Sequence, residues 1–297
     1  MTPVEWLWIP VTVWAAFAQT VRNAAQRGLT KELGTLGATL VRFFYGLPFA
    51  AAWLAVVVAW TGGALPAPNA AFAGWVLLGA VSQIAATAFL LATMQERNFA
   101  LGVAYSKTEI LQVAVFGLAF LGDPLSPATM AAVLCGMAGV LLLSPGGWSG
   151  GWTSRSAVLG LASGAGFALS AVGYRGAALA LEGTPFLVAA AATLMVAQVA
   201  QTLLLGGWMA AREFQSVMRV LRAWRASLLA GFMGAAASAG WLTAFAIEPV
   251  AHVRTLGLVE LIFSYVVSLR LFREKLSRKE LGGIGLLAIG VILVLQQ

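Results

Sequence analysis

The sequence predicts an all-α polytopic membrane protein, with ten transmembrane helices arranged as two inverted five-helix repeats. Three observations predict it. Of 297 residues, 60% are hydrophobic and 10% charged, with a mean hydropathy of +0.88. A soluble domain carries roughly 25% charged residues, so this surface is matched to lipid. The apolar residues fall into runs near the roughly 20 residues a bilayer crossing requires. The chain also matches itself without gaps at a shift of 151 residues.

Gly, Pro and charged residues separate the runs into spans at 4–24, 34–60, 72–94, 100–121, 127–144, 156–180, 184–208, 226–247, 251–271 and 280–296. Pro124, Pro145 and Pro249 fall at turns, where a missing N–H costs nothing, whereas Pro48 lies inside the second span and is expected to kink it. The segment 212–225 differs in kind. Phe214, Met218, Leu221 and Trp224 form one apolar stripe, with Arg212, Arg219, Arg222 and Arg225 around the rest, as in an amphipathic helix lying on a cytoplasmic membrane surface.

The repeat lays Glu109–Ser144 on Glu260–Leu295. Glu109 meets Glu260, Asp123 meets Glu274, Leu125-Ser126 meets Leu276-Ser277 and Gly139-Val140 meets Gly290-Val291. At a shift of 152, Phe89 meets Trp241 and Glu96 meets Glu248. The expected units are 1–147 and 148–297. Five helices is an odd number, so the second unit enters the bilayer upside down, with a site near the midplane between the halves.

The acidic turns Leu121-Gly122-Asp123-Pro124-Leu125-Ser126 and Phe272-Arg273-Glu274-Lys275-Leu276-Ser277 each precede a glycine-bearing helix ending in Gly-Val and aliphatics; Arg42 lies in the second span. With these features the chain resembles the drug/metabolite transporter superfamily, in its ten-helix EamA branch. The resemblance implies a central cavity lined mainly by spans 1, 3, 4, 6, 8 and 9, and it names no substrate. The branch often has a proline in spans 4 and 9, where this chain has Glu109 and Glu260 nearby.

Lys and Arg set orientation. The even-side loops hold Arg27, Lys31, Arg97, Arg155, Arg212, Arg219, Arg222, Arg225, Arg273, Lys275, Arg278 and Lys279, against Arg254 and Arg175 near span ends on the other side. This places both termini in the periplasm of a bacterial inner membrane. Many members of the resembled family have both termini in the cytoplasm instead.

An ionisable group at bilayer depth marks a functional site by default. Glu109 and Glu260 are expected near mid-membrane, as reversible proton carriers or as hydrogen-bonded structural groups. Tyr105, Glu109 and Gln112 share a face if span 4 is one continuous helix. On that helix Lys107 lies about 200° around from Glu109, so the two do not pair, and the amine needs a substrate carboxylate, another acid or a route to water. Thr12, Gln19, Arg22, Asn23 and Gln26 make a polar stripe on span 1, which must face protein or a cavity. The substrate-binding candidates are Gln19, Asn23, Tyr105, Lys107, Glu109, Tyr174, Trp241 and Glu260, with Glu109 and Glu260 also proton-coupling. Arg42, Arg175 and Arg254 are structural or gating charges. Gly160, Gly164 and Ala168 read as a packing stripe.

His252 is the only histidine and Cys135 the only cysteine, so no metal cluster, disulfide or cofactor is expected. No nucleophile–base pair marks an enzyme. The function expected is secondary transport, as an exporter, of amino-acid-like or other zwitterionic or amphipathic metabolites. Efflux of lipophilic cations is the alternative; an intramembrane enzyme or a sensor stands further off. Expected partners are a small-molecule substrate and membrane lipid, with no nucleic acid, in a monomer or homodimer.

Overall fold

The computed structural model describes residues 3–62, 64–96, 106–143, 155–263, 266 and 278–296. Among them every regular element is helical. The helices are α1 (Pro3–Phe44), α2 (Leu47–Thr61), α3 (Ala70–Glu96), α4 (Glu109–Leu121), α5 (Pro127–Leu143) and α6 (Arg155–Leu179). They continue with α7 (Phe186–Gln201), α8 (Gly207–Arg222), α9 (Trp224–Ile247), α10 (Val250–Leu256) and α11 (Arg278–Leu295). Among the described residues, five stretches are long and apolar enough to cross a membrane: Trp6–Thr61, Ala70–Gln95, Ala157–Leu179, Phe186–Arg222 and Trp224–Ile247.

Polarity is inverted relative to a soluble protein. Gln19, Arg22, Asn23, Gln26, Arg42, Lys107, Glu109 and Glu260 are buried, while Val56, Trp60, Leu77, Val115, Phe120, Leu134 and Leu203 are exposed. Such an apolar exterior is stable against acyl chains, and it identifies a membrane-embedded helical protein.

Local sequence explains where the helices bend and stop. α1 is two arms joined at Gly34, whose φ of 69° is open to glycine and strained for other residues. Its first arm runs to Leu33, past the expected end at residue 24. The chain turns at Tyr45-Gly46 before Pro48, at the kink expected there, because proline has no N–H to donate to the carbonyl four residues back and its ring clashes with that carbonyl. Asn69 caps α3, accepting from Phe72 N–H at 2.7 Å, and its amide donates to the Ala180 carbonyl at the end of α6. Gly122, at φ 67°, ends α4 with bonds back to Gly117 and Leu118. A π-helical turn, Thr202–Gly206, joins α7 to α8.

Three antiparallel pairs form the bundle: α1 with α9, α3 with α6, and α5 with α11; α2 packs on α7, and α4 lies between α6 and α10. Small residues set the close approaches. A Cβ on Gly139 would sit 2.8 Å from the Gly283 carbonyl, and one on Gly290 would sit 2.9 Å from that of Ala132.

The directions of these pairs sort the charges. The helix ends carrying Arg27, Lys31, Arg155, Arg212, Arg219, Arg222 and Arg225 gather at one end of the bundle. The start of α1, the end of α11, Asn69, Asp123 and Arg175 lie at the other. In α8, Met209, Ser216 and Val220 face the protein, whereas Phe214, Leu221 and Arg212 face outward.

Candidate functional site

Span 4 is not one continuous helix near Glu109. Lys107 and Thr108 form a turn, and α4 starts at Glu109 itself. The chain breaks likewise just before Glu260, with a turn at Gly257-Leu258 after α10 and helix again from 259 to 263. Both carboxylates therefore lie within the first residues of a resumed helix.

This break overturns one expectation directly. Lys107 Nζ lies 3.6 Å from Glu109 Oε1, because helical spacing does not apply across the turn. Tyr105, expected to share a face with Glu109 and Gln112, lies outside the described residues. Lys107 also forms a tight ion pair with Glu260 Oε2.

Glu260 is the sink of a directed network. Gln19 Nε2 donates to its Oε2 at 2.7 Å and Asn23 Nδ2 to its Oε1 at 3.1 Å. Behind them, Trp241 Nε1 donates to Gln19 Oε1 at 2.9 Å, and Arg22 Nη2 donates to Asn23 Oδ1 at 2.7 Å. Every donor in this series of bonds points toward one carboxylate.

Glu109 is held from the other side. Arg254 Nη1 lies 3.4 Å from its Oε1. The Arg254 guanidinium also sits 4.6 Å from the Trp241 ring centroid and 5.2 Å from that of Phe245, two rings that stack at 6.0 Å. Arg254 is thus buried in the centre of the protein, not near the bundle end where the sequence put it. Its helix, α10, ends at the break after seven residues, which brings its last turn inward.

The remaining candidates separate. Arg42 donates to Thr87 Oγ1 at 3.0 Å and Ser238 Oγ at 3.4 Å. It lies across Gly234 from Arg22; a Cβ there would be 3.5 Å from Arg22 Cδ and from Arg42 Cβ. Tyr174 belongs to another network, with Gln83 accepting from its hydroxyl at 3.1 Å and from Gln201 at 2.8 Å. Arg175 pairs with Asp123 at 3.0 Å and donates to the Phe245 and Glu248 carbonyls at 2.8 Å, tying the α4–α5 turn to α6 and α9. His252 bridges Glu248 and Thr129 at 2.6 and 3.0 Å. Phe89 is 37% exposed and Trp241 buried, so these two repeat-matched aromatics have unlike surroundings.

Sequence reasoning missed Gln83 and Gln201, whose signal was polarity inside spans, and it placed Arg22 on the buried stripe without a role. Among the described residues no three His, Cys, Asp or Glu side chains converge as metal ligands. A cavity of about 570 Å³ lined by Arg27, Gly28, Thr30, Lys31, Met94 and Gln95 opens at the basic end, about one turn along α1 from Asn23. An apolar cavity of about 600 Å³ flanks the bundle, lined by Trp14, Trp53, Trp60, Phe186 and Phe232 among others.

No protein-family model matches the sequence, and no curated protein does. Among solved structures, the chain is similar to a crystal structure described only as that of a protein. The match has a TM-score of 0.69 at 15% identity and covers 99% of this chain and 96% of that one. The likeness extends over the whole fold and speaks to the fold alone.

Proposed function

We propose that the chain is a secondary active transporter, an exporter of small organic metabolites across a bacterial inner membrane, of the drug/metabolite transporter type. It crosses ten times, as two inverted five-helix repeats, and works by alternating access without enzymatic chemistry or a cofactor. The observation that carries this reading is the crossed pair of buried charges at two matched helix breaks. Lys107 of the first half holds Glu260 of the second, and Arg254 of the second holds Glu109 of the first. Interrupted helices meeting near the middle of a membrane bundle are the usual setting of a transport site.

The packing supports the repeat. Exchanging each helix of one half for its counterpart turns the α3–α6 pair into the α9–α1 pair, and returns α5–α11 and α2–α7 to themselves. The gathering of basic side chains at one end, with the start of α1 and the end of α11 at the other, supports periplasmic termini.

The carboxylates are the proton-coupling groups. Protonating Glu109 or Glu260 removes the charge that holds the cation from the other half, which loosens the contact between halves and frees Lys107 for a carboxylate on an amino-acid-like cargo. Gln19, Asn23 and Trp241 shape the same site. The lipophilic-cation alternative finds less support: no acidic side chain lines the apolar flank cavity, so nothing there selects a cation.

Flux into proteoliposomes with and without an imposed pH gradient tests the proposal. Wild-type protein should move substrate in response to the gradient. Glu109→Gln keeps shape and hydrogen-bonding capacity but cannot ionise, so it should keep its fold and lose that response. PH-driven transport at the wild-type rate by Glu109→Gln would remove this residue from coupling.

A further inference from the structure

The centre of the bundle carries more positive charge than it can neutralise. Among the described residues, Arg22, Arg42, Lys107 and Arg254 are each at most 5% exposed, and the carboxylates packed among them are Glu109 and Glu260, equally buried. Lys107 and Arg254 take both carboxylates. Asp123, the next most buried acid, is held by Arg175. Arg22 and Arg42 are left with neutral partners: an asparagine oxygen for one and two hydroxyls for the other. Guanidinium groups do not give up their proton in proteins, so both charges persist.

Geometry puts the two surplus cations together. The two side chains approach the same residue, Gly234 of α9: a Cβ there would lie 3.5 Å from Arg22 Cδ and 3.5 Å from Arg42 Cβ. Arg22 Nη1 is buried without any hydrogen-bond partner, as is Nε of the neighbouring Arg254. An uncompensated buried ion is unfavourable, and nearby like charges add to the cost. A bound anion would supply the missing charge. The basic mouth lined by Arg27 and Lys31 lies about one turn further along α1, and a positive entrance concentrates anions.

We infer that the central site takes a small organic dianion, a dicarboxylate or a phosphate monoester, whose oxygens bridge Arg22 and Arg42. This rests on the transporter reading for its physiological meaning, and narrows the cargo to compounds with negative charge in excess. Planar guanidinium forks suit both oxygen pairs, and the neighbouring Ser238 hydroxyl adds a neutral donor.

Thermal unfolding of the full chain in nanodiscs tests it. Succinate and glycerol 3-phosphate are the probes, glycine and choline the comparisons, all matched in ionic strength with sodium chloride. At least one dianion should raise the melting temperature saturably, and Arg22→Gln and Arg42→Gln should each weaken its apparent Kd by about tenfold or more, as loss of a charged hydrogen bond does. If either variant fails to fold, Arg22→Lys or Arg42→Lys keeps the charge but not the fork, and should still weaken binding. No saturable shift by either dianion, an equal shift by chloride, glycine or choline, or unchanged affinity in the variants overturns the inference. Saturable dianion binding without flux in proteoliposomes sinks the transporter reading and leaves the inference standing. Flux of glycine or choline without dianion binding does the reverse.

Discussion

At the residue scale, Glu260 bears the heaviest electrostatic duty, because Lys107, Gln19 and Asn23 all aim at it. Glu260→Ala takes the tighter of two carboxylate partners from Lys107 and strands two amide donors. Removing one member of a buried ion pair costs about 3–5 kcal/mol, so this variant should unfold at markedly lower temperature or fail to accumulate. Glu260→Gln keeps an acceptor for Lys107 and should fall between that variant and wild type. Trp241 holds two contacts at once, and substitution separates them. Trp241→Phe keeps a ring beneath Arg254 but loses the N–H to Gln19, a loss of about 1 kcal/mol. Trp241→Leu loses both contacts and should drop the melting temperature further, by an increment that measures the cation–π contribution of about 0.5–2 kcal/mol.

At the scale of elements, the breaks need room. α6 passes so near the first one that a Cβ on Gly164 would lie 2.8 Å from Thr108 Oγ1 and 3.0 Å from the Ser106 carbonyl. The packing stripe of Gly160, Gly164 and Ala168 therefore meets the turn that sets Lys107 against the two glutamates. Gly164→Val should preserve helix content by circular dichroism yet displace that turn, abolishing substrate-dependent thermal shifts and flux together. Retention of both would show that α6 does not brace the break. Gly34 is a different case, since nothing lies within 4 Å of a Cβ there. Gly34→Ala should cost about 1–2 kcal/mol from its left-handed φ alone, with no loss of packing.

At the scale of the whole molecule, charge is sorted along the axis. A C-terminal reporter active only in the periplasm should give signal, because the end of α11 lies away from the basic helix ends; cytoplasmic signal from a correctly inserted fusion would invert the proposed orientation. The same outer end is tied by Arg175, which joins Asp123 to the last carbonyls of α9. Asp123→Asn weakens that tie without changing size. A cysteine introduced at Gln19 should then react faster with a membrane-impermeant thiol reagent added from the outer side, and an unchanged rate would show that the tie does not guard the outer path.

The sequence by itself determined the solvent, the helical class and the residues worth watching. Apolar runs divided by Gly, Pro and charge put α3, α5, α6 and α9 close to their observed ends. Pro48 announced its kink, and the polar stripe of α1 announced its burial, because lipid leaves a polar side chain no other place. Tertiary structure decided what those residues do to one another. Lys107 reaches Glu109 only because the backbone leaves the helix at Thr108, and no hydropathy pattern records a turn inside an apolar run. Arg254 looked like an end-of-span charge until α10 stopped after seven residues and delivered it to Glu109. The partners of Glu260 lie 153 to 241 residues away in sequence. The balance of four central cations against two central carboxylates among the described residues therefore exists only once the helices are packed, since charge neutrality is a property of neighbours in space, not of neighbours along the chain.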